Sequence, residues 1–164
     1  MTDKVEAQSL AALIERGGVY YNVSGSYPDE IIAVLIGLVP VFPSLKKEAL
    51  LQAMLEREAL MSTAIGRGIA LPHPRVPVLG EGDEPFVAIG FPIQPLAWNA
   101  PDGSKIHTVF LIVSSSAEQH LDTLSKINFL CQQEKFYSLV EARPSREEIV
   151  AAIREAEAAW TGAS

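Results

Sequence analysis

The chain is poor in the residues that build staples and metal sites. It has one cysteine, Cys131, so no disulfide can close within it. That usage fits a reducing compartment, and a cytoplasmic location is expected. Its three histidines, His73, His107 and His120, are 34 and 13 residues apart, which matches no short-range zinc pattern. No metal site is expected. Positive charge is scarce too: 13 Lys+Arg stand against 20 Asp+Glu, a net charge of −7. An acidic chain offers no electrostatic footprint for nucleic acid or an anionic membrane. The longest apolar run, Ile31 to Phe42, has twelve residues and contains Pro40. A bilayer needs roughly 20, so no membrane insertion is expected. The opening MTDKVEAQSL lacks the basic start and apolar run of a secretory leader. No internal repeat is present. The loop Pro74 to Pro85 is too short to act as a linker between domains.

What remains is ordinary globular composition: 164 residues, 48% hydrophobic and 20% charged. A chain of this size buries roughly 70% of its unfolded surface and folds without a staple. A mean hydropathy of +0.18 fits either a generous core or an apolar partner surface.

Helical and strand patterns interleave. Residues 6–16 suit a short helix with Leu10, Leu13 and Ile14 on one side and Gly17-Gly18 as its stop. Val19 to Val23 reads as a strand. Pro28 opens a second helix with Ile32, Leu35, Ile36 and Val39 on its inner face. Ser44 is placed to cap a third, with Leu50, Leu51, Met54 and Leu55 inside. Gly68-Ile69-Ala70-Leu71 is a short strand-like segment. Phe86–Phe91 and Ile106–Val113 are the strongest strands, and Asp102-Gly103 marks a turn before the second. Ser116 with Gln119 predicts a capping box for a helix over about 117–133. Phe136–Val140 continues as a short helix. Ser145 with Glu148 predicts another box, opening a last helix that carries Ile149, Ala152, Ile153, Ala156 and Trp160 on one face. The pattern implies a single α/β domain with helices flanking a mixed sheet.

Several polar residues fall where packing does not explain them. His73 sits between Pro72 and Pro74. Pro74 drives His73 toward extended backbone, so its imidazole stands on a stiff peg at the end of an apolar strand. It is either a rigidly placed nucleophile or a loop histidine. Imidazole suits phosphoryl transfer, which asks chiefly for in-line positioning and donors to the equatorial oxygens. Arg57 extends the stripe Leu50, Met54, Arg57, Met61 at i, i+4, i+7 and i+11. Its guanidinium either grips phosphate oxygens or lays its stem along the core edge. His120 falls in the first turn of its helix, on the face of Leu124, Ile127 and Cys131. It is either a neutral donor to an anion or a half-buried packing residue. Ser62 and Thr63 either cap backbone or touch an anion. His107 shares alternation with Val109 and Leu111 and is read as structural. Gly66-Arg67-Gly68 lacks the spacing of a nucleotide loop.

The stretch from Arg57 to His73 (REALMSTAIGRGIALPH) resembles enzyme IIA domains of the fructose/mannitol type. These belong to the bacterial phosphoenolpyruvate-dependent phosphotransferase system, including its nitrogen-regulatory members. Glu118-Gln119-His120-Leu121 with Leu124-Ser125-Lys126-Ile127 resembles that family's second histidine segment, and Trp98 to Gly103 also fits. The resemblance covers nearly the whole chain and implies one type 2 enzyme IIA-like domain over residues 1–164. It implies a mixed sheet between helices, His73 as phospho-acceptor through Nε2, Arg57 as phosphate contact and His120 as second active-site histidine. The implied donor is a histidine phosphocarrier protein. The implied acceptor is a IIB domain or a regulatory target. No cofactor is implied. Many relatives have Gly after the active histidine, whereas this chain has Pro74, which stiffens the peg and removes an N–H.

Two functions follow from the resemblance. One is a phosphocarrier, in sugar transport or nitrogen regulation. The other is a non-catalytic regulatory module that acts by docking, with His73 phosphorylation as a switch or lost. With no membrane segment and little after the last helix, the chain is expected to carry no sugar-transporting unit. That favours a regulatory outcome of phosphotransfer.

Overall fold

The computed structural model describes residues 9–162. Among these are six helices and five strands. In chain order they are α1 (Leu10–Gly17), β1 (Val19–Val23), α2 (Pro28–Leu38), α3 (Lys47–Leu60), β2 (Ala64–Gly66), β3 (Ile69–Ala70), β4 (Phe86–Pro92), β5 (Thr108–Val113), α4 (Ala117–Gln132), α5 (Glu134–Glu141) and α6 (Arg146–Gly162). The strands form one sheet in the order β1-β4-β5-β3-β2. β1 runs parallel to β4 and β3 parallel to β5, while β4–β5 and β2–β3 are antiparallel. The sheet is mixed, as expected.

Alternation along β4 builds a core on each face. Val87, Ile89 and Phe91 face Leu10, Ile14, Ile127 and Ile153 of α1, α4 and α6. Phe86 and Ala88 face Ile32, Leu35, Leu50 and Met54 of α2 and α3. All seven β4 residues are buried, which is why the strand reads as a continuous apolar run. Helices therefore cover both faces. α1 lies so close that a Cβ on Gly17 would sit 2.1 Å from Val87 O.

Most predicted boundaries hold, and the departures have local causes. α1 opens at Leu10, where the Ser9 side chain accepts from Ala12 N; residues 6–8 of the predicted helix lie outside the described residues. Ser44 does not cap α3, whose N-cap is Lys46. Ser44 N and Leu45 N instead donate to Asp83, tying this loop to the one after His73. The stripe along α3 fails at Met61, which is 71% exposed, because the helix has ended at Leu60. At α4, Ser116 Oγ accepts from Gln119 N, but the Gln119 side chain reaches back to Ser115 N rather than Ser116 N. The box opening α6 is reciprocal between Ser145 and Glu148. β5 starts at Thr108, and Ile106 pairs separately with Leu96. The strand β2 had no predicted counterpart.

Candidate active site

His73 is placed by two backbone hydrogen bonds that latch the segment carrying it to its neighbours. The β2–β3 hairpin turns through Gly66, Arg67 and Gly68, all at positive φ. A Cβ on Gly68 would lie 2.3 Å from His107 Cδ2, so only glycine fits there. Beyond β3 the chain stays latched: Leu71 N donates to Thr63 O at 3.0 Å, and Ile112 N donates to Pro72 O at 3.0 Å. His73 follows at once, half-buried, with Pro74 buried behind it. The His73 Nδ1 lies 2.6 Å from Leu71 O. A carbonyl only accepts, so Nδ1 carries the proton and Nε2 keeps its lone pair. Burial pushes the His73 pKa down, the Leu71 bond opposes this, and the Arg57 charge lowers it further.

His120 meets His73 from α4, with ring centroids 4.5 Å apart and planes tilted by 48°. Its Nδ1 faces Ser114 Oγ at 3.4 Å. Burial, then the neighbouring His73, then Arg57 bring its pKa down to about 4. Both rings are therefore neutral at pH 7. Arg57 lies in the last turn of α3, near enough for its charge to act on both rings, and its guanidinium donates to Met61 O at 2.7 Å. No ion pair among the described residues engages Arg57. The structure thus brings His73, His120 and Arg57 together.

Ser62 and Thr63 bond within the fold, and Ser62 Oγ accepts from Ala64 N at 3.1 Å, a local backbone contact as one of the two expectations had it. Ser62 Oγ donates to Trp98 O, and Thr63 donates through N and Oγ1 to the Glu58 carboxylate at 2.8 and 2.6 Å. Their hydroxyls brace the chain between α3 and β2. The Trp98–Gly103 segment has a matching role: Asp102 accepts from Arg67 N and from Ser104 N and Oγ, which holds its pKa down to about 2.

His107 departs from its predicted face. Its N–H and that of Thr108 both donate to Gly68 O, which interrupts strand alternation. The ring lies against Tyr137, 5.9 Å between centroids, while Val109 and Leu111 enter the other core. Its Nε2 donates to Arg67 O, so His107 braces the hairpin. Cys131 is buried, and burial pushes its thiol up to about 12, far from any nucleophilic role.

Two residues near the site had no role in the sequence reading. Ser114 and Arg75 line a hollow of about 190 Å³ with Pro74, Val76, His120 and Leu121. Arg75 also shares a second hollow with Arg57 and Leu60. Position two after His73 was the available signal for Arg75. Ser114 had none, because three consecutive serines look alike in sequence. Leu60, Val76 and Leu121, which line these hollows, are all more than half exposed. Among the described residues, no group of three His, Cys, Asp or Glu side chains converges as a metal site. No helix among them is long and apolar enough to cross a membrane.

Residues 12–156 match the family described as phosphoenolpyruvate-dependent sugar phosphotransferase system, EIIA 2. The fructose-specific EIIABC component of Bacillus subtilis is 24% identical over 149 residues, 89% of this chain but only 23% of that protein. A nitrogen regulatory protein of Pseudomonas aeruginosa is 26% identical over 141 residues, 84% of this chain and 90% of the relative. The crystal structure of nitrogen regulatory protein IIA-Ntr from Neisseria meningitidis shares the fold, with TM-score 0.75 and 23% identity over 87% of this chain and 97% of that one. Enzyme IIAMtl of Escherichia coli, in complex with phosphorylated enzyme IIBMtl, does so with TM-score 0.66 and 18% identity over 84% and 94%.

Proposed function

Because the chain belongs to the EIIA 2 family of the phosphoenolpyruvate-dependent sugar phosphotransferase system, we propose that it is a protein-borne phosphoryl carrier whose acceptor atom is His73 Nε2. The observation that carries this reading is the 2.6 Å bond between His73 Nδ1 and Leu71 O. It fixes the tautomer, so the lone pair of a neutral imidazole sits on Nε2. A lowered pKa keeps that lone pair free at neutral pH.

The step balances without a cofactor. His73 Nε2 attacks the phosphorus of a phosphohistidine on a histidine phosphocarrier protein. A new P–N bond forms, and the electron pair of the breaking P–N bond returns to the donor imidazole. The proton on His73 Nδ1 stays on that nitrogen throughout, donated to Leu71 O. Arg57 grips the equatorial oxygens with its fork, and His120 supplies a neutral donor in the first turn of α4, where the helix end favours an anion. Onward transfer goes to a IIB domain or a regulatory target, and the cycle runs in the cytoplasm.

A second reading draws on the nitrogen regulatory relatives. Here the same face docks on target proteins, and a phosphoryl group on His73 switches the docking by adding negative charge beside Arg57. One experiment tests the step on which the carrier reading stands, acceptance of a phosphoryl group by His73. The chain is incubated with labelled phosphoenolpyruvate, enzyme I and the phosphocarrier protein of the same source. Acid-labile label absent from His73→Ala supports the carrier. No label on the wild type, with the upstream proteins active, refutes it.

A further inference from the structure

The three serines between β5 and α4 divide their work. Ser116 Oγ accepts from Gln119 N and caps the helix. Ser115 N and Oγ both donate to Gln119 Oε1. Ser114 is 7% exposed, and its hydroxyl turns away from the cap toward His120 Nδ1, 3.4 Å away. No other hydrogen bond of the Ser114 hydroxyl occurs among the described residues. The separation is long, as in resting sites whose bonds tighten when the reacting group arrives.

We propose that Ser114 is a positioning residue for phosphoryl transfer, its hydroxyl donating to His120 Nδ1 and holding that ring as the Nε2–H tautomer. The functional half of this inference rests on His73 as the acceptor; the tautomer itself does not.

The direction of the bond follows from the proton inventory of the pair. His73 has spent its only ring proton on Leu71 O, so its Nε2 offers a lone pair. If His120 gave its own ring proton to Ser114, its Nε2 would also be a bare lone pair. Two neutral rings 4.5 Å apart would then bring two acceptors and no donor to the place where phosphate oxygens arrive. If Ser114 donates instead, the single ring proton of His120 sits on Nε2, the remaining polar atom of the ring. That N–H can reach a phosphoryl oxygen on His73. A hydroxyl rotates to serve either direction, so only the donating arrangement gives every polar atom a complementary partner during transfer. Ser114 is well suited to this, since it follows the buried end of β5 and its backbone is fixed there. It touches no reacting atom and acts only through His120.

The test uses the full chain with ¹⁵N-labelled histidine. The imidazole nitrogen shifts of His120 are read by NMR at neutral pH in the unphosphorylated wild type and in Ser114→Ala. The wild type is expected to show Nε2–H and an unprotonated Nδ1, and Ser114→Ala a mixture of both tautomers. An Nδ1–H tautomer in the wild type overturns the proposal without reference to any variant. Equal tautomer populations in the two proteins overturn it as well. In the second arm, phospho-His73 in Ser114→Ala is expected to form more slowly by about 3- to 10-fold, with KM for the phosphocarrier unchanged, as loss of one oriented hydrogen bond implies. A variant with mixed tautomers and wild-type transfer kinetics overturns the functional half. A wild type that accepts no phosphoryl group refutes the carrier reading instead, and the tautomer comparison still decides what Ser114 does.

Discussion

The rings of His73 and His120 face each other at 4.5 Å, and both are held neutral by burial and by the positive charge of Arg57. Each would titrate near 6.5 in the unfolded chain, whereas His120 in the folded protein does so at about 4. Between these values the unfolded chain binds more protons than the folded one. The stabilising contribution is therefore complete above pH 6.5 and is lost as pH falls toward 4. Asp102, with a pKa of about 2, acts in a separate window below the ordinary carboxylate value. Thermal unfolding across pH 7 to 4 should show a falling Tm in the wild type and a shallower fall in His120→Gln. Equal slopes for the two proteins would remove His120 from the account.

Among the described residues Arg57 forms no ion pair; it is half-exposed, and its guanidinium donates to Met61 O. Removing it costs little packing, so Arg57→Ala should keep the wild-type Tm within a degree or two. The phosphoryl oxygens lose a charge-assisted fork, worth about 1.5–3 kcal/mol, so transfer to His73 should slow by roughly 10- to 100-fold. Rapid-quench measurement of labelled phosphate on the protein checks this. An unchanged rate would leave Arg57 as a surface residue.

The features of the fold legible in sequence were those written in period and caps. β4 and β5 announce themselves as buried apolar runs, and Ser145 with Glu148 forms the predicted reciprocal box. Pro28 opens α2 because its fixed φ and missing N–H cost nothing at a helix start. What escaped depends on partners distant in the chain. Ser44 looks like a cap but serves Asp83, 39 residues away. β2 is three residues long and exists because β3 and the Asp102 brace hold its hairpin. His107 leaves the face of Val109 and Leu111 because one carbonyl, Gly68 O, takes two consecutive N–H groups. In the site, the stiff setting of His73 was readable from its two prolines. The proton on its Nδ1 was not, since that depends on where Leu71 O points. Ser62 and Thr63 were ambiguous for the same reason: hydroxyl chemistry is local, but the Trp98 and Glu58 acceptors are set by tertiary structure.

Thr63 offers a direct test of brace against anion contact. Its hydroxyl and N–H both end on Glu58, a carboxylate at the close of α3. Thr63→Val keeps the shape and the N–H bond but leaves one carboxylate oxygen short of a donor. Stability in urea should fall by about 1.5–3 kcal/mol, while transfer to His73 in the folded fraction stays within about 2-fold of wild type. The opposite result, wild-type stability with slowed transfer, would make Thr63 a phosphate contact.

Pro74 directly follows the histidine proposed as the phosphoryl acceptor. The ring is buried, and its presence confines His73 to extended backbone. That confinement serves the Leu71 bond, because Nδ1 must return to a carbonyl only two residues back. Pro74→Gly releases the restriction in both states of the chain. The unfolded ensemble gains freedom, so stability should fall by about 1 kcal/mol or somewhat more where the buried ring also leaves a gap. In the folded protein Pro72 still anchors the segment through the Ile112 N–H, so the site persists. The imidazole then samples more orientations, and the fraction poised in line with a donor shrinks. Transfer should slow by about 2- to 5-fold in kcat with KM for the phosphocarrier unchanged, since docking does not involve the buried ring. Steady-state transfer kinetics, paired with NMR detection of the Nδ1 proton, give both halves. If kcat and the Nδ1 proton match the wild type, the stiffness of the peg comes from the Leu71 and Ile112 bonds alone, and Pro74 only fills the space behind them.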